Sequence, residues 1–583
     1  MNEMRKWRGE VVWCGLFVAG LIFVWWLSGE QTLSLSARTA VAKFLRLLGD
    51  AALLSMPFAI AGRRGRVWGT IFLWVVALWE IGSVWYFRFW GDLPGLSSLL
   101  LGRNLNVELL RSTLGLWQWR DVLFLLPPVV LTLCVARVGG RTAFTRREKW
   151  GYAIASVVLF AGGQGVATHV FRSNQRLLGM DTSFLTATVE RIEVAPLALN
   201  RDRALNGPVV GFFKQAKLTA DVLGLRRDLT ESDRSEVEAF ISSVPSWQQV
   251  KPADSIVEAN SRKNVVLLLV ESLNSGVVGR KVGGREVTPT LNALIGREGT
   301  LSALDVLTQV GAGGSGDGQL IANTGLFPIN GFSAAMAVGS RNTFPSLCRS
   351  LGRETDVVVF ADDMSAWNEH DTFQSYGFDS LYSRNDFPLL IEAEGGDGAL
   401  LTFGASLMPS LSRPFFMELL TVSMHVPFRD KTIPEERIPS WIDTDASLSR
   451  LEADYLKMTA YFDSELNRFL NRLDSLGLAD NTIVAIVSDH SQDVVSAGRE
   501  EEPMAIIIAN CGVSKRVERR VAQTEFFPTL LALTGTTGPQ GWRGAAPTLL
   551  DAAPLSDSAD SVARAVSHTI LSTDFFAGVA SEK

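Results

Sequence analysis

One hydroxyl stands in a run of glycines at 309–320, Gln-Val-Gly-Ala-Gly-Gly-Ser315-Gly-Asp-Gly-Gln-Leu, directly after an apolar segment. Glycine lets a backbone come close to a bound group and adopt turns that other residues resist. A serine at such a turn, opening a helix, presents its oxygen beside backbone N–H groups aimed at an anion. A flexible glycine-rich loop with an incidental serine has the same composition, so the stretch alone leaves both readings open. Three other places narrow the choice. Glu271 follows the apolar run 265–270, Asp489 and His490 follow 482–488, and His425 stands three residues beyond the run 415–422. The chain has five histidines, so two of them at the ends of such runs carry weight. Two carboxylates, an imidazole and a hydroxyl form a mixed oxygen and nitrogen donor set for a divalent metal. Acidic residues after strands also cap helices, which is the alternative for Glu271 taken singly.

The elements that would position these groups follow from the pattern. From residue 264 onward, short β-branched apolar runs (265–270, 356–361, 415–422, 482–488, 504–509) alternate with helical segments (288–297, 448–476, 525–533). Such alternation predicts an α/β layered domain with a central, mostly parallel sheet covered by helices. Strands this uniformly apolar are expected where both faces of the sheet are buried. In open α/β sheets ligands sit beyond the carboxyl ends of the strands, where Glu271, His425, Asp489 and His490 fall.

The first 170 residues read differently. The chain is 47% hydrophobic with 16 Trp, its mean hydropathy is +0.17, and its apolar content is concentrated there. Apolar runs at 11–27, 44–62, 67–87, 122–138 and 151–170 approach the roughly 20 residues that a spanning helix needs. They predict a transmembrane anchor of five helices over 1–170. The second run is interrupted by Arg46 and Asp50, so a buried or interfacial helix is its alternative. Lys6 and Arg8, then Arg63, Arg64 and Arg66, then Arg137, Arg141, Arg146, Arg147 and Lys149 mark the cytoplasmic side. An odd number of spans delivers everything after residue 171 outside. No small-residue cleavage site follows the first run, so it reads as an anchor. Residues 94–119, with Trp117 and Trp119, read as an outer interfacial helix pair or an ordinary loop. A helical linker is expected over 171–260, the outer domain over 261–550 and a tail over 551–583. The net charge of −6 argues against a nucleic-acid partner. The four Cys are scattered and form neither a disulfide framework nor a metal motif.

Taken in order, Glu271-Ser-Leu-Asn274, Val287-Thr-Pro-Thr-Leu-Asn292, the Ser315 loop, Met424-His-Val-Pro-Phe428 and Ser488-Asp-His490 resemble one family. It is the lipoteichoic acid synthase and phosphoglycerol transferase branch of the alkaline phosphatase–sulfatase superfamily. The resemblance implies a sulfatase-like domain behind a multi-pass anchor in a bacterial cytoplasmic membrane, with the catalytic domain extracytoplasmic. It implies a transferase that moves a phosphoglycerol-type headgroup from a phospholipid donor to an envelope glycan or lipid acceptor. A hydroxyl in the Gly-rich loop is the family's nucleophile, threonine there and Ser315 here. The implied metal ligands are Glu271, Ser315, Asp489 and His490, holding one divalent ion, usually manganese, with Mg2+ or Zn2+ as alternatives. His425 and Trp367 match residues that contact the substrate.

One position departs from the family. An arginine that pairs with the substrate phosphate is expected two residues after Trp367, and this chain has Glu369, followed by His370. A carboxylate there opens the alternative of an amine-bearing headgroup such as phosphoethanolamine, while His370 offers another phosphate contact. A hydrolase, phosphodiesterase or sulfatase-like, is the remaining alternative. A sulfatase needs Cys or Ser in a C/S-x-P-S-R context, which Ser315-Gly-Asp-Gly is not.

Overall fold

Six consecutive apolar or β-branched positions can all be buried only if a strand is covered on both faces, and the central strands of this chain meet that condition. The computed structural model describes residues 2–32, 37–90, 93, 96, 117–137, 144–177, 183–193, 199–311, 313–329, 333–339, 341–364, 368–425, 428–445, 447–492 and 502–577. They form two compact units, Met1–Asp221 and Val222–Lys583.

In the first unit, α1 (Asn2–Thr32), α2 (Ala37–Ile60), α3 (Gly62–Trp90), α4 (Leu126–Arg137) and α5 (Arg146–Leu177) cover the five apolar runs. Arg66 at the head of α3 pairs with Glu10 near the head of α1 at 3.3 Å, so α2 returns the chain between two parallel helices. Arg88 at the end of α3 pairs with Asp121 at 2.7 Å, just before α4 sets off. Among the described residues, three helices are long and apolar enough to cross a membrane, over Gly9–Gly29, Gly62–Arg88 and Arg146–Ser173. Of the five expected spans, three thus have helices of this kind, and the other two differ. The α-helical part of α4 has 12 residues, about 18 Å at 1.5 Å per residue, and reaches the roughly 30 Å of a hydrocarbon core only together with the 3-10 segment Trp119–Leu125 before it. Helix α2 is long enough but turns Lys43, Arg46 and Asp50 inward, where all three are buried. Two further helices, α6 (Phe184–Glu193) and α7 (Leu199–Leu223), follow, and α7 supplies partners for that polar face. Arg46 Nη1 donates to the Leu205 carbonyl at 2.9 Å, and the Val209 N–H donates to Asp50 at 3.5 Å. The expected interfacial stretch 94–119 lies outside the described residues except for Leu96 and 117–119, where Trp117 and Trp119 are exposed.

The second unit opens with α8 (Glu231–Ser243) and is built on nine strands: β1 (Asn264–Val270), β2 (Leu301–Leu307), β3 (Thr355–Phe360), β4 (Ser380–Tyr382), β5 (Phe415–Leu420), β6 (Thr482–Ser488), β7 (Met504–Ala509), β8 (Lys515–Val517) and β9 (Val521–Ala522). The order across the sheet is β8-β2-β7-β6-β1-β5-β3-β4, with β9 beside β2. Strand β7 runs antiparallel to both neighbours and every other pairing is parallel, so the sheet is mixed. Alternate residues of β1 enter two cores. Val265, Leu267 and Leu269 join one with α9 (Ser315–Thr324), α13 (Phe526–Thr534) and α14 (Asp557–Thr573). Val266, Leu268 and Val270 join the other with α11 (Gly396–Leu407) and α12 (Arg450–Ser475). A shorter helix, α10 (Glu369–Tyr376), lies between β3 and β4 in the chain.

Glu418 is the exception among the apolar residues of β5. It is fully buried, and Asn323 of α9 donates to its two oxygens at 3.1 and 2.9 Å. Burial, only partly offset by Asn323, pushes its carboxyl up from 4.5 to about 8. The folded chain thus keeps a proton that the unfolded chain releases, so this contribution to stability is complete below about pH 4.5 and is lost as pH rises through about 8. The Glu418→Gln variant should show a smaller fall in thermal midpoint between pH 5 and 9 than the parent protein. An unchanged slope in a calorimetric pH series would contradict this.

Candidate active site

Register brings the candidate groups together. Strand β1 lies between β6 and β5, with Val270 opposite Ser488 and Leu269 opposite Leu420, so three strand ends finish side by side. The ladder runs one residue further, because the Asp489 N–H donates to Val270 and the Thr421 N–H to Leu269, both at 3.1 Å. Ligand atoms of Glu271, Asp489 and His490 lie within 4.8 Å of one another. His490 Nε2 is 3.4 Å from Glu271 Oε1 and 3.7 Å from Asp489 Oδ2. Ser315 Oγ donates to Glu271 Oε2 at 3.2 Å, which adds the hydroxyl.

Burial opposes charge at each of these groups, and their mutual fields decide the outcome. Burial alone would lift Glu271, but His490, with smaller help from His425 and Ser272, lowers it to about 2. Asp489, buried beside the Glu271 charge, is pushed up to about 7. Burial would depress His490, yet Asp489 and Glu271 raise it to about 10. The donor set is thus short of positive charge. His490 Nδ1 faces the Ser491 carbonyl at 3.0 Å, where it can only donate, and this turns Nε2 toward the two carboxylates. A buried, anionic donor set with its imidazole oriented from outside fits a divalent cation.

Side chains absent from the sequence reading hold this arrangement. Ser272 has a left-handed backbone (φ 53°), sparsely populated for a non-glycine residue and typical of functional sites. Its N–H donates to Asp489 at 2.8 Å and its hydroxyl to Glu271 at 2.7 Å, so one residue ties the two carboxylates together. Thr421 Oγ1 accepts the Glu271 N–H at 2.9 Å. Asp317, buried within the glycine run, accepts the N–H groups of Gly311 and Gly313 at 2.9 and 3.0 Å and shapes the loop before Ser315. Gln523 donates to the Asp489 carbonyl at 2.6 Å and accepts the Gln309 N–H at 3.1 Å, joining the two loops. Asp317 was visible as a carboxylate among glycines; Gln523 left no signal in the sequence.

The other candidates fall at differing places. His425 lies half-buried on the turn after β5, and its field reaches Glu271. Glu369 opens α10 as a buried residue whose Oε1 accepts from Gln319 of α9 at 3.0 Å, and burial pushes it up to about 8. The His370 side chain is 55% exposed and pairs with Asp371 at 3.5 Å. Trp367 lies outside the described residues.

Two glycines set how Ser315 arrives. Gly314 takes φ 51° immediately before it. A Cβ on Gly318 would stand 2.3 Å from the Asp489 carbonyl oxygen, so α9 can approach the strand ends only with glycine there. Displacing a reacting group by about 1 Å costs on the order of 100-fold. Gly318→Ala should therefore lose about that much turnover while the protein still folds, and parent-like turnover would contradict the close approach. Manganese at about 100 times its Kd should stabilise the protein by about 2.7 kcal/mol. That stabilisation should vanish with chelator and in Asp489→Asn; a shift that persists in the variant would place the ion elsewhere.

A sulfatase family model matches residues 263–536, and a model described as the lipoteichoic acid synthase N-terminal domain matches residues 11–191. Lipoteichoic acid synthase 1 of Bacillus subtilis is 26% identical over 287 residues, 47% of this chain and 42% of that protein. The lipoteichoic acid synthase of Staphylococcus saprophyticus is 28% identical over 257 residues, 42% of this chain and 38% of that protein. The chain thus spans about two fifths of the length of the curated relatives it matches. The crystal structure of a lipoteichoic acid synthase from Listeria monocytogenes aligns with a TM-score of 0.47 at 18% identity, covering 57% of this chain and 98% of that one.

Proposed function

We propose a transfer reaction for this chain, which belongs to the lipoteichoic acid synthase and phosphoglycerol transferase branch of the alkaline phosphatase–sulfatase superfamily. In this reading a membrane-anchored enzyme moves a phosphoglycerol-type headgroup from a phospholipid to an extracytoplasmic glycan or lipid acceptor. The observation that carries it is the Ser315 hydroxyl, bonded to Glu271 within the donor set of Glu271, Asp489 and His490.

Glu271, Ser315, Asp489 and His490 would hold the divalent ion, manganese by resemblance. When bound, that ion supplies positive charge that acidifies the serine hydroxyl and screens the phosphate. Ser315 Oγ, its proton released to solvent, attacks phosphorus. The bond from phosphorus to the diacylglycerol oxygen breaks, and His425 gives that oxygen a proton as diacylglycerol leaves. The headgroup phosphate stays esterified to Ser315. An acceptor hydroxyl then loses its proton to His425 and attacks phosphorus, which releases Ser315 and completes a double displacement. Tethering the site to the membrane raises its effective concentration over a lipid donor. The basic clusters at 6–8, 63–66 and 137–149 support an outer location for the catalytic unit.

Glu369 bears on the choice of donor. A solvent-facing anion would suit an amine-bearing headgroup and repel a phosphodiester. Glu369 is instead buried, bonded to Gln319 and pushed up to about 8, so it stays neutral near pH 7. This favours phosphoglycerol over phosphoethanolamine as the transferred group. Incubation with headgroup-labelled phosphatidylglycerol should release diacylglycerol and leave label on Ser315, with Ser315→Ala losing both by at least about 1,000-fold. Unchanged turnover in Ser315→Ala would remove the nucleophile, and preferential use of phosphatidylethanolamine would overturn the donor.

A further inference from the structure

The turn that carries His425 is gripped from behind by one buried side chain. Asp397, near the start of α11 and fully buried, accepts at Oδ1 the N–H groups of Val422 at 2.9 Å and Ser423 at 3.1 Å. In return the Asp397 N–H donates to Ser423 Oγ at 3.0 Å. The approach is close, since a Cβ on Gly396 would meet Ser423 Oγ at 2.2 Å and Asp430 Oδ2 at 2.3 Å. The far side of the turn is tied to the same helix end. The Gly396 N–H donates to Thr432 Oγ1 at 3.0 Å, and that hydroxyl donates to Asp430 Oδ1 at 2.6 Å. On the near side, Thr421 Oγ1 accepts the Glu271 N–H. Residues 421–423 are therefore strung between a candidate ligand and Asp397, and His425 stands two residues further on. Asp397 Oδ2 has no hydrogen-bond partner among the described residues, so the carboxyl binds the turn through one oxygen while its other oxygen stays buried. That is an expensive arrangement for a residue that only starts a helix.

We propose that Asp397 is a positioning residue for His425: by clamping the Val422 and Ser423 N–H groups, it fixes where the imidazole stands relative to Glu271. The proposal rests on the role given to His425 in the transfer reaction. Losing the clamp frees the turn, and misplacing a proton donor by about 1 Å costs on the order of 100-fold in rate. A residue that only stabilises the fold would cost the same whether or not His425 is present.

A double-mutant cycle in the full-length protein separates these cases, with diacylglycerol release from phosphatidylglycerol as the readout and thermal midpoints measured in parallel. Asp397→Ala should lower kcat about 10- to 100-fold with a much smaller change in KM, and should cost less than about 2-fold when added to His425→Ala. Asp397→Asn, whose amide oxygen still accepts both N–H groups, should recover most of the loss. Equal losses in the two backgrounds would overturn the positioning role and leave His425 standing. Parent-like activity in His425→Ala would overturn the role of His425 and the clamp with it. If Asp397→Ala does not fold, Ser423→Ala, which removes the acceptor of the Asp397 N–H together with a 3.4 Å bond to Asp430 Oδ2, replaces it in the same cycle.

Discussion

Two carboxylates that must share one small buried volume set the terms for this protein. Like unit charges about 4 Å apart repel by about 4 kcal/mol at an effective dielectric near 20, and burial adds its own penalty. Glu271 and Asp489 are nevertheless held together by the register of β1 against β6 and by the single residue Ser272, which donates to both. The imbalance is met by positive charge, from the His490 imidazolium in the bare protein and from a cation when one is bound. Nearly every unusual feature nearby serves this concentration of negative charge. The left-handed backbone at Ser272, the oriented Nδ1 of His490 and the glycine at 318 each keep a donor where it would not otherwise rest.

The loops that bring the remaining groups are fixed by a common device. A buried aspartate accepts backbone N–H groups from a loop that would otherwise be loose: Asp317 for the glycine run before Ser315, and Asp397 for the turn before His425. Threonine and glutamine side chains do the same work at lower cost, with Thr421 holding the backbone of Glu271 and Gln523 bridging the Ser315 loop to Asp489. The side chains proposed to carry the reaction are thus set on rigid strand ends and on loops whose backbone donors are already committed, which is the preorganisation that transfer chemistry rewards.

Much of this was legible before any coordinates. Uniformly apolar runs announced strands covered on both faces, and chemically suggestive residues directly after two of them, with a third shortly beyond another, pointed to one cluster. The mixed character of the sheet was not legible, because β7 reads like the strands that pair in parallel; direction is set by the connection and leaves no mark on a run such as Met504–Ala509. Three of the five apolar runs were legible as helices long and apolar enough to cross a membrane, and the other two were legible only as apolar runs. Arg46 and Asp50 signalled that α2 was unusual, yet their partners Leu205 and Val209 lie more than 150 residues away. Glu369 shows the same limit most sharply. As a residue type beside a phosphate it implied repulsion, and only its burial against Gln319 reveals a neutral group.

The account stands on four groups sharing one cation. Anomalous diffraction at the manganese edge, from crystals of the protein grown with the ion, measures this directly. One peak is expected, bonded at about 2.0–2.3 Å to Glu271, Ser315, Asp489 and His490 Nε2. A peak ligated by other side chains, or an ion that Ser315 and His490 do not reach, would contradict it.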